Sequence, residues 1–276
     1  MKKKERNIQP AIPYFTKFPN KYIQSDIQSV FGINRKFYIT YILIDRNRSR
    51  EDFSWITIRK IFDFYGYQTT RNKPQTFMEI IDVLKYMIDQ NMIQVKNDLD
   101  SIGYNDLIEI KIISENFDCT EKFTKITANQ IDTIMSFDSS VSKENILLVF
   151  LYVNSYIGCR KQSENTNDDE KPEETNPEAF WRSIQRMSKD IAMAKKTIVD
   201  CLAFLTEKHK SHDALLIKYE VGYIPQPGNK PPKNAPNIYV LNQNGYQREI
   251  QSAINKMKEL YNVDYFIQKE KKTENT

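Results

Sequence analysis

Apolar residues along this chain recur in two rhythms. Over "SWITIRKIFDFYGY", Ile58, Ile61, Phe62 and Tyr65 fall at the i, i+3, i+4, i+7 spacing of one helix face. Gly66 follows where a helix end needs a left-handed residue. Past the polar link "QTTRNKPQ", Phe77, Ile80, Ile81, Leu84 and Ile88 mark a second amphipathic helix. "MIQVKN" and "NDLIEIKII" then read as two short strands around a turn containing Gly103. Ahead of these, "NRKFYITYILIDRNRS" (34–49) is apolar and β-branched, so periodicity does not separate helix from strand; its length favours helix. "PYFTKFPNKYIQ" mixes aromatics with proline and predicts an extended lead-in.

The second half repeats the order. "KENILLVFLYVNSYI" (143–157) predicts a buried helix, with "TANQIDTIMS" a short helix before it. "PEAFWRSIQRMSKDI" predicts a helix opening at Pro177, with Phe180, Ile184, Met187 and Ile191 on one face. An "AMA" turn, without proline or glycine, leads to a helix with Ile198, Cys201, Leu202 and Leu205 inside. "DALLIKYEVGYI" and "NIYVL" predict strands on either side of the loop "PQPGNKPPKNAP". A last helix, 246–261, sets Ile250, Ile254, Met257 and Tyr261 on one face.

Two tight helix pairs, each followed by two strands, make an α+β, mostly helical chain of two tandem winged-helix domains. The expected organisation is a basic extended arm (1–29), a first domain (30–116), a second (117–267) and a disordered tail (268–276). The second domain would hold an acidic mobile loop at 160–177, too polar to repay the entropy of ordering, and the C-terminal helix 246–261.

Charge sharpens this picture. The net charge of +4 on 276 residues excludes a histone-like basic coat. Residues 178–245 hold ten Lys/Arg against six Asp/Glu, whereas 160–177 hold three against six. Lys195, Lys196 and Thr197 stand at the start of the second helix of the "AMA" pair, where unpaired backbone N–H groups and the helix dipole suit a phosphate. Helical spacing puts Lys196 and Asp200 on the outer face, able to bond guanine and cytosine N4. Arg182 and Arg186, four apart on the preceding helix, are candidate phosphate clamps. Lys230 and Lys233 sit in a proline-stiffened wing able to follow a DNA backbone.

The first domain is chemically poorer. The outer face of its second helix would carry Gln75, Glu79, Asp82 and Tyr86, and the carboxylates would repel phosphate. Its candidate contacts are Arg71 and Lys73 in the turn, Gln75 and Thr76 at the helix start, and positive charge at Arg46, Arg48 and Arg50. It is equally suited to protein contact, including a second copy of itself.

Several chemistries have no footing. Neither GxxxxGK[ST] nor GxGxxG occurs. His209 and His212, the only histidines, read as a polar helix end rather than a metal pair, and no Ser-His-Asp set is recognisable. No enzyme activity, cofactor or metal is expected. Cys119, Cys159 and Cys201 form no CxxC and fit reduced thiols in the cytoplasm. The basic start lacks the apolar run of a signal peptide, and no segment suits a membrane span.

"IRKIFDFYGYQTTRNKPQTFMEIIDVLKYMIDQNMIQV" followed by "FWRSIQRMSKDIAMAKKTIVDCLAFLTEKHK" resembles the tandem winged-helix proteins of Gram-positive bacteria and their mobile elements, which include plasmid and phage replication initiators. The resemblance covers roughly residues 30–250. It implies sequence-specific binding of double-stranded DNA through Gln75 and Thr76 in one domain and Lys195, Lys196, Thr197 and Asp200 in the other. It also implies a role in initiating replication, with a replicative helicase or its loader as partner. The same module serves transcription regulators, usually homodimers, and protein–protein adaptors. This chain departs from the pattern in the acidic outer face of its first recognition helix and in its acidic loop.

Overall fold

A computed structural model describes residues 14–24, 34–67, 73–118, 122–137, 141–157, 179–208, 213–228 and 230–268. The expected acidic loop, the arm up to residue 13, both histidines, Arg71, Cys119 and Cys159 lie outside these. About half of the described residues are helical, and the sheets are small and antiparallel, which makes the fold α+β.

The chain enters as β1 (Phe15–Pro19) and a single turn, α1 (Lys21–Gln24). The extended lead-in is therefore a paired strand. It lies against β5 far along the sequence, with Phe15 opposite Thr127.

The ambiguous segment is a helix, α2 (Lys36–Arg46), and every residue from Phe37 to Ile44 is buried. A short strand that the periodicity did not reveal, β2 (Phe53–Ile56), precedes α3 (Ile58–Tyr65). The Thr57 hydroxyl caps α3 by accepting from the Lys60 N–H at 3.0 Å, and Gly66 ends it at φ 72°. The longer α4 (Lys73–Asp89) follows, then β3 (Ile93–Val95) and β4 (Ile108–Ile112). The link between β3 and β4 is the long loop 96–107 rather than a tight turn. β4 lies between β2 and β3. On α4 the expected inner residue Ile88 is exposed, and Met87 is buried in its place.

After α5 (Ser114–Phe117) come β5 (Phe123–Thr127) and α6 (Ala128–Ser136). Thr127 and Gln130 form a reciprocal capping box at the start of α6. Helix α7 (Lys143–Ile157) is buried from Ile146 through Ser155.

The helix expected to open at Pro177 starts later, as α8 (Ile184–Asp190), capped by Ser183. Phe180 is buried, but in extended backbone: its N–H and carbonyl exchange hydrogen bonds with Tyr239 at 2.8 and 2.7 Å. Next are α9 (Lys195–Thr206), β6 (Leu216–Tyr219), β7 (Tyr223–Ile224), β8 (Lys233–Asn234), β9 (Ile238–Leu241) and α10 (Tyr246–Tyr261). The loop between the outer strands is thus a hairpin, β7 against β8. Gly222, at φ 103°, leads into it. A Cβ there would meet the Ile267 carbonyl oxygen at 2.2 Å, so the returning chain end requires glycine.

The two halves share a connectivity. Each runs helix, extended segment, helix, helix and then strands; in the first half the last strand, β4, lies between β2 and β3, and in the second β9 pairs with β6 and bridges Phe180 through Tyr239. They also share a core. One hydrophobic cluster runs from Phe18 through α2, α4, α7 and α9 to Tyr239, and α2 packs directly on α7. Strand β9 alternates between two cores: Tyr239 faces the shared cluster, while Ile238 and Val240 face a second one with Ile250, Ala253 and Met257 of α10. No described helix is long and apolar enough to cross a membrane.

The shared core makes unfolding cooperative across both halves. The chain has two tryptophans, Trp55 in the first half and Trp181 in the second. Urea unfolding of Trp55→Phe and Trp181→Phe, each read by the remaining tryptophan, is expected to show a single midpoint. Phe37→Ala should lower both readouts together at a cost of about 3–5 kcal/mol. Separate midpoints would mean independent cores.

Candidate nucleic-acid interface

The second helix pair is set by its turn. Ile191 and Met193 are buried, which anchors both sides of Ala192. Ala192 has φ 47°, the left-handed region that a Cβ disfavours. Three bonds hold it there. The Met193 N–H donates to the Ser188 carbonyl at 3.2 Å, the Ser188 hydroxyl donates to the Met193 carbonyl at 2.7 Å, and Arg35 donates to the Ala192 carbonyl at 3.2 Å. Arg35 also donates to Asn145. A residue of the first half thus fastens the turn of the second.

Helix α9 packs Ile198, Cys201, Leu202 and Leu205 inward, as the spacing predicts. Burial pushes the Cys201 thiol up to about 12, so it stays protonated. The helix start is unusual. Ala194 offers no side-chain cap, the first turn holds no acid, and Lys195 and Lys196 are exposed. Neither lysine has an ion-pair partner among the described residues. Two cations at the positive end of a helix dipole oppose it by roughly 0.3–1 kcal/mol each. Thr197 and Asp200 are half-buried beside them. Val199, which sequence reasoning passed over, is 51% exposed. It follows Lys196 by three, and helical spacing alone would have placed it on the outward side. An exposed aliphatic side chain there suits a thymine methyl.

Lys230 and Lys233 on the hairpin, and Lys189 on α8, are exposed and likewise unpaired among the described residues. Two other lysines of this half are engaged: Lys208 pairs with Asp213 at 3.4 Å and Lys218 with Glu220 at 2.5 Å.

Arg182 and Arg186 differ from expectation. Arg182 precedes the cap of α8 and is not on the helix. It stacks 4.1 Å over Tyr156 and bonds Asp190 at 3.1 Å. Arg186 pairs with the same carboxylate at 2.9 Å. Asp190 also accepts from the Tyr152 hydroxyl at 2.5 Å. Burial first, and that hydrogen bond second, raise the Tyr152 pKa well above its ordinary value and keep it a donor.

In the first half the expected contacts are scattered. Thr76 is buried, because it begins the inner stripe that continues at Ile80. Gln75 is exposed and bonds Glu79. Lys73 starts α4, with its side chain outside what is described, as is Arg71. Tyr86, expected on the outer face, packs edge-on against Phe37. Glu79 pairs with Lys36 at 2.6 Å, and Lys36 also reaches Glu144 of α7 at 3.4 Å. The expected repulsion from Glu79 is therefore largely neutralised. Arg46 and Arg48 are engaged by carboxylates. Arg46 pairs with Asp132 at 2.8 Å, and Arg48 is held by Asp52 and Asp118, both at 2.7 Å.

Among the described residues no group of three His, Cys, Asp or Glu side chains is placed to hold a metal ion. Compared with protein-family models and with curated proteins, the chain matches none.

The uncapped start of α9 carries a measurable cost. Lys195→Glu is expected to stabilise the chain alone by about 0.3–1 kcal/mol at low ionic strength, read as a rise in the urea midpoint. An unchanged or lower midpoint would mean that the first turn is not electrostatically opposed.

Proposed function

We propose that this chain is a sequence-specific double-stranded DNA-binding protein. In this reading each half is a winged helix and the second half grips the duplex. The observation that carries it is the start of α9: two exposed lysines at an uncapped, acid-free helix N-terminus, with no protein partner among the described residues. Phosphate supplies what that helix end lacks, both as counter-charge and as acceptor for its N–H groups. The hairpin β7–β8 adds Lys230 and Lys233, also unpaired, as a wing. The connectivity supports the fold assignment. Helix, strand, helix, helix, strand, strand with the last strand central is the order of a winged helix; the first half follows it, and the second resembles it, with an extended segment at Phe180 in place of the first strand and the β7–β8 hairpin between β6 and β9.

The first half, whose Arg46 and Arg48 are occupied, serves as the fixed base that sets the turn through Arg35. The protein acts by positioning DNA, without bond chemistry of its own. Replication initiation of a plasmid, phage or other mobile element, with a helicase or its loader recruited to the bound site, is the role that the family resemblance adds.

Selection from random duplex DNA, followed by a salt series on the recovered sites, tests this. Four lysines on phosphates predict a log–log salt slope of about −4, and Lys195→Ala with Lys196→Ala should reduce it by about 2. Gln75→Ala should leave it unchanged. No enrichment, with weak binding even at low salt, would overturn the reading and favour a protein–protein adaptor.

A further inference from the structure

We propose that a second site, the cleft between the end of α7, the extended lead into α8 and the end of α10, binds a nucleotide through its unpaired base and its phosphate. The cleft is about 540 Å³, and its lining includes Tyr156, Phe180, Trp181, Arg182, Arg186 and Tyr261. Its size falls within the roughly 300–1,000 Å³ of small-molecule sites. Its composition is selective. Four of the nine lining residues are aromatic, and Trp181 and Tyr261 are only half-buried, which leaves ring surface to stack on a flat base.

Two more carry guanidinium groups. Arg182 is immobilised by its stack on Tyr156 and its bond to Asp190, so it extends the flat wall. Arg186 is 65% exposed. Among the described residues Asp190 is the carboxylate paired with both, and it also accepts from the Tyr152 hydroxyl. Among the described residues, one carboxylate stands against two guanidinium groups, a net positive charge for the lining they form. The forked donors of Arg186 match a phosphate in shape as well as charge. A flat ring next to an anion is the chemistry of a nucleotide. It has two sources: a mononucleotide in solution, or an unpaired nucleotide within a single strand. The site does not depend on duplex binding by α9 and stands if that reading fails.

Trp55→Phe leaves Trp181 as the sole tryptophan, and its fluorescence reports the cleft. The variant is titrated with dAMP and, separately, with the single strand (dA)8. Saturable quenching is expected, with affinity falling about tenfold in Arg186→Gln, the loss of one charge-assisted contact. Tyr261→Leu, which removes a ring but no ion pair, should weaken binding as well. Quenching by dAMP assigns the site to mononucleotides; quenching by (dA)8 alone assigns it to an unpaired strand. No quenching by either probe overturns the proposal. So does an affinity unchanged in both variants while each unfolds at the parental urea midpoint. Lys195→Ala with Lys196→Ala should leave the quenching intact, which separates this site from the duplex interface.

Discussion

Two helices without a polar side, α2 and α7, impose the constraint that the rest of the chain satisfies. A helix that is apolar all round has to be covered all round. Eight consecutive residues of α2 and ten of α7 are buried. They cover each other in part, and the remaining faces recruit β1, α4 and α9, β5 and β9. The halves are therefore not beads on a string. The central strand of the second half lies against the same core that the first half builds, and Lys36 bridges α4 and α7 through Glu79 and Glu144.

That shared core bears on function through rigidity. The turn before α9 holds Ala192 in a conformation that costs roughly 1–2 kcal/mol for a residue with a Cβ. It persists because buried neighbours and Arg35 over-determine it. A helix start fixed in this way presents its backbone N–H groups in one orientation. In the first half Lys36, Arg46, Arg48, Lys85 and Lys96 all have carboxylate partners. In the second half the exposed Lys189, Lys195, Lys196, Lys230 and Lys233 have no ion-pair partner among the described residues.

Local periodicity made the amphipathic helices legible. Ile58, Ile61, Phe62 and Tyr65 are all buried because a single helix face is a property of spacing alone. Long-range pairing was not legible. Phe180 falls four before Ile184 and so mimics a helical stripe, yet its backbone pairs with Tyr239. Ser183, a capping residue directly before the periodic run, was the signal for the true start. Arg46 and Arg48 looked like DNA contacts because their partners, Asp132 and Asp118, arrive from distant segments. The candidate site was legible to the same extent. Lys195, Lys196, Lys230 and Lys233 are where spacing put them. Thr76 is not, because a helix that begins at Lys73 turns it inward.

In the proposed reading the start of α9 and the β7–β8 hairpin meet DNA while α4 does not. Amide hydrogen exchange of the whole chain, with and without a selected duplex, tests it most directly. The N–H groups in the first turn of a helix have no intrahelical partner, so they exchange readily unless something else accepts from them. Slowed exchange is expected at residues 195–197 and across 223–234 on DNA binding, with residues 75–89 unchanged. Protection confined to α4, or none in the first turn of α9, would contradict it.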